Sequence, residues 1–290
     1  MTVDNEIPRR GFLRWARAAI TNLLLWSLGG KGGLLVAPER IKIETVRLKL
    51  KRLNPAFCGI RIAQLSDIHF GGWMNAERIR KVVDLALAEK PEAVLITGDF
   101  LPGWGFDANS KILVQSLVDG LSPLAKAVPT YAVLGNHDYW TNSQAVREML
   151  RACNIADLTN AVCTWTRGDE RLHFCGVDDI WEGDVRLHDV LSQLPDDGAA
   201  ILLAHEPDFA DESAATGRFD LQVSGHSHGG QIVIPFVGPP VLPHLGRKYH
   251  SGLYKVGEMF QYTSRGVGTG GVPIRFLCPP EITVFQLETS

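Results

Sequence analysis

The chain contains no Cys-x-x-Cys, and its five cysteines (Cys58, Cys153, Cys163, Cys175 and Cys278) are an odd number. Neither a disulfide framework nor a zinc knuckle therefore organises it. The cysteines read as small buried apolar residues and lean away from an oxidising compartment. No internal repeat and no low-complexity linker divides the sequence. Positive charge is missing from most of it. Residues 1–52 hold eleven basic and four acidic residues, whereas the other 238 hold 18 basic and 28 acidic ones, a split of +7 and −10. An acidic body lacks the basic groove that a phosphate backbone requires, which argues against nucleic acid as substrate. What remains is an ordinary globular composition, 45% hydrophobic and 21% charged in 290 residues.

The basic surplus sits in a leader, residues 1–40, set apart from a body of residues 41–290. Pro8-Arg9-Arg10-Gly11-Phe12-Leu13-Arg14 resembles a twin-arginine export signal. The uncharged segment behind it, Ala18 to Gly30, has 13 residues. That is short of the roughly 20 needed to span a bilayer, and no small-x-small cleavage site follows. Phe12, Leu13, Ala16, Ala19, Ile20, Leu23 and Leu24 also fall at helical spacing beside three arginines, the pattern of an interfacial helix. An export signal or uncleaved anchor, a surface helix and a plain tail all stay open. A basic leader on an acidic body points to membrane association or export, with the cytoplasmic face included.

In the body, short apolar runs end again and again in polar turns. Residues 41–50 alternate as an edge strand. Strands at 60–65, 93–97 and 130–134 are followed by helices at 75–90, 109–126 and 143–153, the last with Ser143 as N-cap. This β-α rhythm predicts a layered α/β fold. Further strands at 172–176, 199–204, 221–224, 232–234, 259–263 and 282–287, with a helix at 185–194, predict a second sheet, mostly antiparallel. Asp67 and His69 stand two apart after the first strand, and strand alternation would aim both at one spot. Asp99, Asn136, His205, His226 and His228 also lie in turns directly after apolar strands, where open α/β sheets bind ligands. Seven oxygen and nitrogen donors are too many for one ion and suit two that share a carboxylate. Four imidazoles favour Mn, Fe, Zn or Ni over Ca or Mg.

Asp67-Ile-His69, Gly98-Asp99, Gly135-Asn136-His137-Asp138, Ala204-His205 and Gly225-His226-Ser-His228 resemble, in order, the five motifs of the calcineurin-like metallophosphoesterases. Residues 264–268, 273–275 and 280–281 look like the membrane-associated or exported bacterial branch of that family. The resemblance implies a four-layer αββα sandwich of two mixed sheets flanked by helices, with a dimetal site at the strand C-terminal ends. One ion would take Asp67, His69, Asp99 and His228; the other would take Asp99, Asn136, His205 and His226. His137 would face the phosphate as catalytic acid, and activated hydroxide would hydrolyse a phosphoester or pyrophosphate bond. Many members carry an Asp three residues after the bridging one to orient that His. Pro102 stands there instead, which leaves the role to Asp138, Asp178 or a backbone carbonyl, or leaves His137 less precisely held and less efficient, without touching the metal site. Loop aromatics at Trp73, Trp104, Phe106, Tyr139, Trp140, Trp181 and Phe236 suggest an apolar rim, and with the leader a phosphorylated small-molecule or lipid substrate at a membrane. His244, His250, Arg265 and Arg275 are candidates to reach substrate. The competing reading is a binding module of the same fold without catalysis, which would be metal-free and inert.

Overall fold

The computed structural model describes residues 35–36, 40–103 and 108–290. The leader up to residue 34, together with Trp104 and Phe106, lies outside them.

In chain order the elements are β1 (Leu35–Val36), β2 (Lys42–Leu50), β3 (Arg61–Leu65), α1 (Ala76–Ala88), β4 (Ala93–Thr97), α2 (Ala108–Ala127), β5 (Thr130–Val133), α3 (Asn136–Thr141) and α4 (Ser143–Cys153). The chain continues with β6 (Ala156–Asp157), β7 (Ala161–Arg167), β8 (Glu170–Gly176), α5 (Leu187–Gln193), β9 (Ala199–Leu203), α6 (Ala210–Ala215), β10 (Leu221–Ser224), β11 (Gly252–Val256), β12 (Met259–Thr263), β13 (Arg275–Phe276) and β14 (Glu281–Thr289).

Two six-stranded sheets form the centre, in the orders β2-β14-β3-β4-β5-β6 and β11-β12-β10-β9-β8-β7. The strands alternate faces. Ile62 and Leu95 point between the sheets, where they meet Phe174, Ile201, Leu203 and Val223. Ala63, Leu65, Val94 and Ile96 point outward onto Ile79 and Val82 of α1 and Val146 of α4. On the far side Ala200 and Leu202 cover Val190 of α5 and Ala210 of α6. The result is the expected four-layer αββα sandwich of two mixed sheets.

The second sheet differs from expectation. Its four inner strands pair in parallel, β12 with β10, β10 with β9 and β9 with β8, and only its two outermost pairings are antiparallel. Residues 282–287 belong to the first sheet, where β14 runs between β2 and β3. Residues 232–234 make only isolated bridges. The apolar alternation of 282–287 suits either sheet, so chain return, not pattern, decided its place. Asn142, not Ser143, caps α4, its side chain accepting from Ala145 N at 3.0 Å. Among the described residues no helix is long and apolar enough to cross a membrane.

Candidate metal centre

Strands β3, β4 and β5 are parallel neighbours, and so are β9 and β10. Their carboxyl ends bring five turns together. All seven candidate donors are buried there. Asp67, His69 and His228 offer atoms within 4.8 Å of one another, as do Asp67, Asp99 and His205. Asp99 lies between His69 and His205, its Oδ2 at 3.4 Å from one Nε2 and 3.3 Å from the other. Asn136 Oδ1 lies 3.0 Å from His226 Nδ1. His137, expected as a non-ligand, also falls within the same reach of His69 and Asp99.

The local conformation is not the one strand alternation predicts. β3 ends at Leu65, and Asp67 and His69 converge because both adopt left-handed backbone, φ +53° and +46°. Asp99, His226 and His228 do the same, at +57°, +68° and +51°. Each such residue costs roughly 1–2 kcal/mol relative to a right-handed one. Backbone bonds between turns hold them: Asp67 N to Gly98 O, and His69 N to Asp99 O, both 3.0 Å. Gly98, at φ +86°, packs so closely that a Cβ there would lie 2.7 Å from both Gly135 N and His205 Nδ1.

Asp138 is the strut beneath the turns. Its two oxygens accept from the backbone N–H groups of Gly135, Asp99, Phe100 and Leu101, at 2.9–3.0 Å. Burial and Asp99 push its carboxyl up to about 8, against the backbone donors of Gly135 and Leu101 and the nearby His205. It does not hold the His137 ring, as a catalytic or orienting Asp138 would. The Pro102 carbonyl does, at 2.9 Å from Nδ1. Thus the residue that lacks the orienting carboxylate supplies the acceptor from its main chain, and Nε2 of His137 is left for the site. Asp178 turns instead to Tyr139 Oη at 2.5 Å.

The donor set fits cations. His205 Nδ1 lies 2.6 Å from the Thr97 carbonyl and so donates to it, leaving the buried Nε2 with no hydrogen-bond partner. His226 Nε2 donates to His244 O at 2.7 Å, so its Nδ1 lone pair faces the Asn136 oxygen, lone pair against lone pair. His69 Nε2 and His228 Nε2 face each other at 2.9 Å. Asp67 Oδ2 is buried without a partner. The partnerless Asp67 Oδ2 and His205 Nε2, and the opposed lone pairs of His226 and Asn136, are costly unless a cation lies among them. Burial lowers His69 to about 4 and His226 to about 3, and lowers His228 as well, which keeps three imidazoles neutral. His205 is the exception. Burial would depress it too, but the surrounding carboxylates, Asp99 foremost, raise it above the usual range.

The other candidates lie elsewhere. Arg265 is paired with Glu44 at 2.7 Å and with Glu281. Arg275 is fully buried behind the site; it donates to the carbonyls of Arg265, Gly266, Gly268 and Cys278 and faces His228 Nδ1 at 3.3 Å. Neither is available to phosphate, because both tie the C-terminal loops together. His173 is held between Thr164 and the Asp197 carbonyl. Trp73 packs against the first core under Arg78, not over the site. Trp140 and Trp181 do line the site, and their pairing was not legible because the two residues are far apart in sequence.

Residues 60–230 match the model of the family described as calcineurin-like phosphoesterase. The chain is 31% identical to the uncharacterized metallophosphoesterase YkuE of Bacillus subtilis, over 98% of this chain and 99% of that protein. It is also 31% identical to phosphodiesterase YaeI of Escherichia coli, over 97% and 99%. A transmembrane protein with metallophosphoesterase domain from Danio rerio is 28% identical, over 94% of this chain and 63% of its own.

Proposed function

The chain belongs to the calcineurin-like phosphoesterase family and is a phosphoester hydrolase, and from that premise we propose that it acts on an amphipathic, lipid-linked phosphoester or pyrophosphate at a membrane surface. The observation that carries the hydrolytic half is the convergence of seven buried donors with partnerless atoms facing inward. Asp67, His69, Asp99 and His228 would hold one divalent ion, and Asp99, Asn136, His205 and His226 the other, with Mn, Fe, Zn or Ni the suitable elements. When bound, two such ions supply Lewis acidity and an acidified water. His137, fixed by the Pro102 carbonyl, delivers a proton from Nε2 to the departing oxygen, a role worth about 10²–10⁴-fold. Thr97 O and His244 O set the tautomers of His205 and His226. Asp138 keeps the two turns in register.

The membrane half is supported by an exposed apolar edge beside the site. Phe236, Val237 and Val241 are exposed on the loop after His228, and Val272, Ile274 and Leu277 on the loop facing it. The two loops are joined by Val233 N to Phe276 O at 2.9 Å and Gln231 Nε2 to Gly270 O at 2.9 Å. β1 pairs with β13 on the same edge. A patch of this kind favours lipid contact, and the cationic segment favours anionic headgroups. In this reading residues 1–40 act as export signal, anchor or surface helix for the body of residues 41–290.

Metal analysis with hydrolysis of bis-4-nitrophenyl phosphate, wild type against Asp99→Ala, tests the first half. We expect two bound ions and turnover in the wild type, and loss of about 10³-fold or more in the variant. A metal-free, inert wild type overturns it. Equal turnover of lipid phosphates and soluble diesters, unaffected by deleting residues 1–40, overturns the second half.

A further inference from the structure

Trp140 and Trp181 are each 41% exposed, whereas most other large aromatics among the described residues lie in the core. Trp140 follows His137 by three residues on α3, one helical turn on the same face. The two rings lie 4.7 Å apart. Trp181 meets Trp140 edge-on at 5.4 Å, and it also meets His226 at 6.1 Å and His244 at 5.4 Å. The two indoles therefore run as one wall from the proton donor to the second cluster of ligands.

The loop that carries Trp181 is rigidly built. Asp179 Oδ1 accepts from the backbone of Trp181 at 3.1 Å and Glu182 at 2.7 Å. Asp178 accepts from Asp179 N and from Asp184 N, both at 3.0 Å, and from Tyr139 Oη. Tyr139 precedes Trp140, so Asp178 links the side chain beside Trp140 to the backbone of the loop that carries Trp181. A half-exposed aromatic pair fixed in this way is preorganised to be covered by something else.

We infer that Trp140 and Trp181 form the subsite for the leaving group, and that this group is bulky and apolar, with aromatic rings held best. The inference rests on His137 as the proton donor and deepens the hydrolytic reading by placing the apolar part of the substrate. In the reaction, a water oxygen forms the new P–O bond as the bond to the departing oxygen breaks. That oxygen takes its proton from His137, and the water's proton passes to solvent, giving an alcohol and a phosphate. In an in-line displacement the departing oxygen lies opposite the attacking one and next to the acid. Whatever is attached to it must extend along the ring that the acid already touches, which is Trp140, and then across Trp181.

The test uses the full-length, metal-loaded protein and two methyl phosphodiesters that differ only in the leaving group, one 4-nitrophenyl and one trifluoroethyl. Taking the variant-to-wild-type ratio for each substrate cancels the intrinsic reactivity of the leaving groups. Trp181→Ala is expected to raise KM for the aryl diester about tenfold, with a smaller change in kcat and a change in KM for the trifluoroethyl diester of less than about threefold. Trp181→Phe keeps the aryl preference. Trp181→Gln loses it, and it serves if the alanine variant fails to fold. Trp140→Ala lowers kcat as well, because it also removes the ring packed on His137. Equal changes for both diesters in Trp181→Ala and Trp181→Gln overturn the subsite and leave the hydrolytic reading standing. A metal-loaded wild type that hydrolyses neither diester overturns both.

Discussion

Strand β4 and the turn that follows it are neighbours in the chain and opposites in energetics. Ala93-Val94-Leu95-Ile96-Thr97 is fully buried in regular parallel pairing. Its large apolar side chains fill the layers on both faces, each contributing roughly 1.5–3 kcal/mol. Gly98 and Asp99 are equally buried but left-handed, and Asp99 is a carboxylate ringed by imidazoles. The same contrast recurs at β3 with Asp67 and at β10 with His226. The strands supply stability in surplus, and the turns consume it to hold donors where no unbound chain would place them. A site so arranged is stable only because the layers beneath it over-determine it.

Removing the ions breaks the comparison most severely. Treatment with a chelator should abolish turnover and lower the unfolding free energy by about 4 kcal/mol for each ion removed, about 8 kcal/mol for two, relative to protein with free ion at a thousand times its Kd. Calorimetry with and without chelator measures this, and readdition of ion should restore both activity and stability. Damage to the strand side should separate the two quantities. Leu203→Ala, between the sheets, is expected to cost about 3 kcal/mol in chemical denaturation, with kcat on a soluble diester within about twofold of wild type at temperatures where it stays folded.

The strut under the turns should couple stability and activity. Asp138→Asn sets an amide N–H against backbone donors, so we expect about 2 kcal/mol of destabilisation together with a fall in kcat. Unchanged kcat would show that the turns hold their register without it. The smallest effect belongs to Pro102→Ala. The acceptor for His137 is a main-chain carbonyl, which alanine keeps, so kcat should change by less than about twofold. A large loss would mean that the proline ring, not its carbonyl, positions the imidazole.

Much of the centre was legible because its signals are local. An apolar run followed by a polar donor marks a strand end, and five such ends in family order at Asp67, Asp99, Asn136, His205 and His226 mark the candidate site. The reason Asp67 and His69 converge was not legible, since alternation along a strand and two left-handed residues beyond it give the same spacing in one dimension. The exposed apolar edge was legible in part: Phe236 was named, whereas Val272, Ile274 and Leu277 join it only through the pairing of distant loops.

The sequence alone determined which residue types follow which strands, because side-chain period and chain adjacency are properties of the chain itself. It therefore determined the layers, the candidate donor set and the two-part charge of leader and body. Tertiary structure decided everything that depends on which distant segments meet. It put β14 in the first sheet and made the second sheet mostly parallel. It gave His137 to the Pro102 carbonyl and spent Asp138 on four backbone N–H groups. It also set Trp181 against Trp140. Hydrogen bonds and ring contacts act over a few ångströms in space regardless of separation in sequence, and no local pattern encodes that closeness.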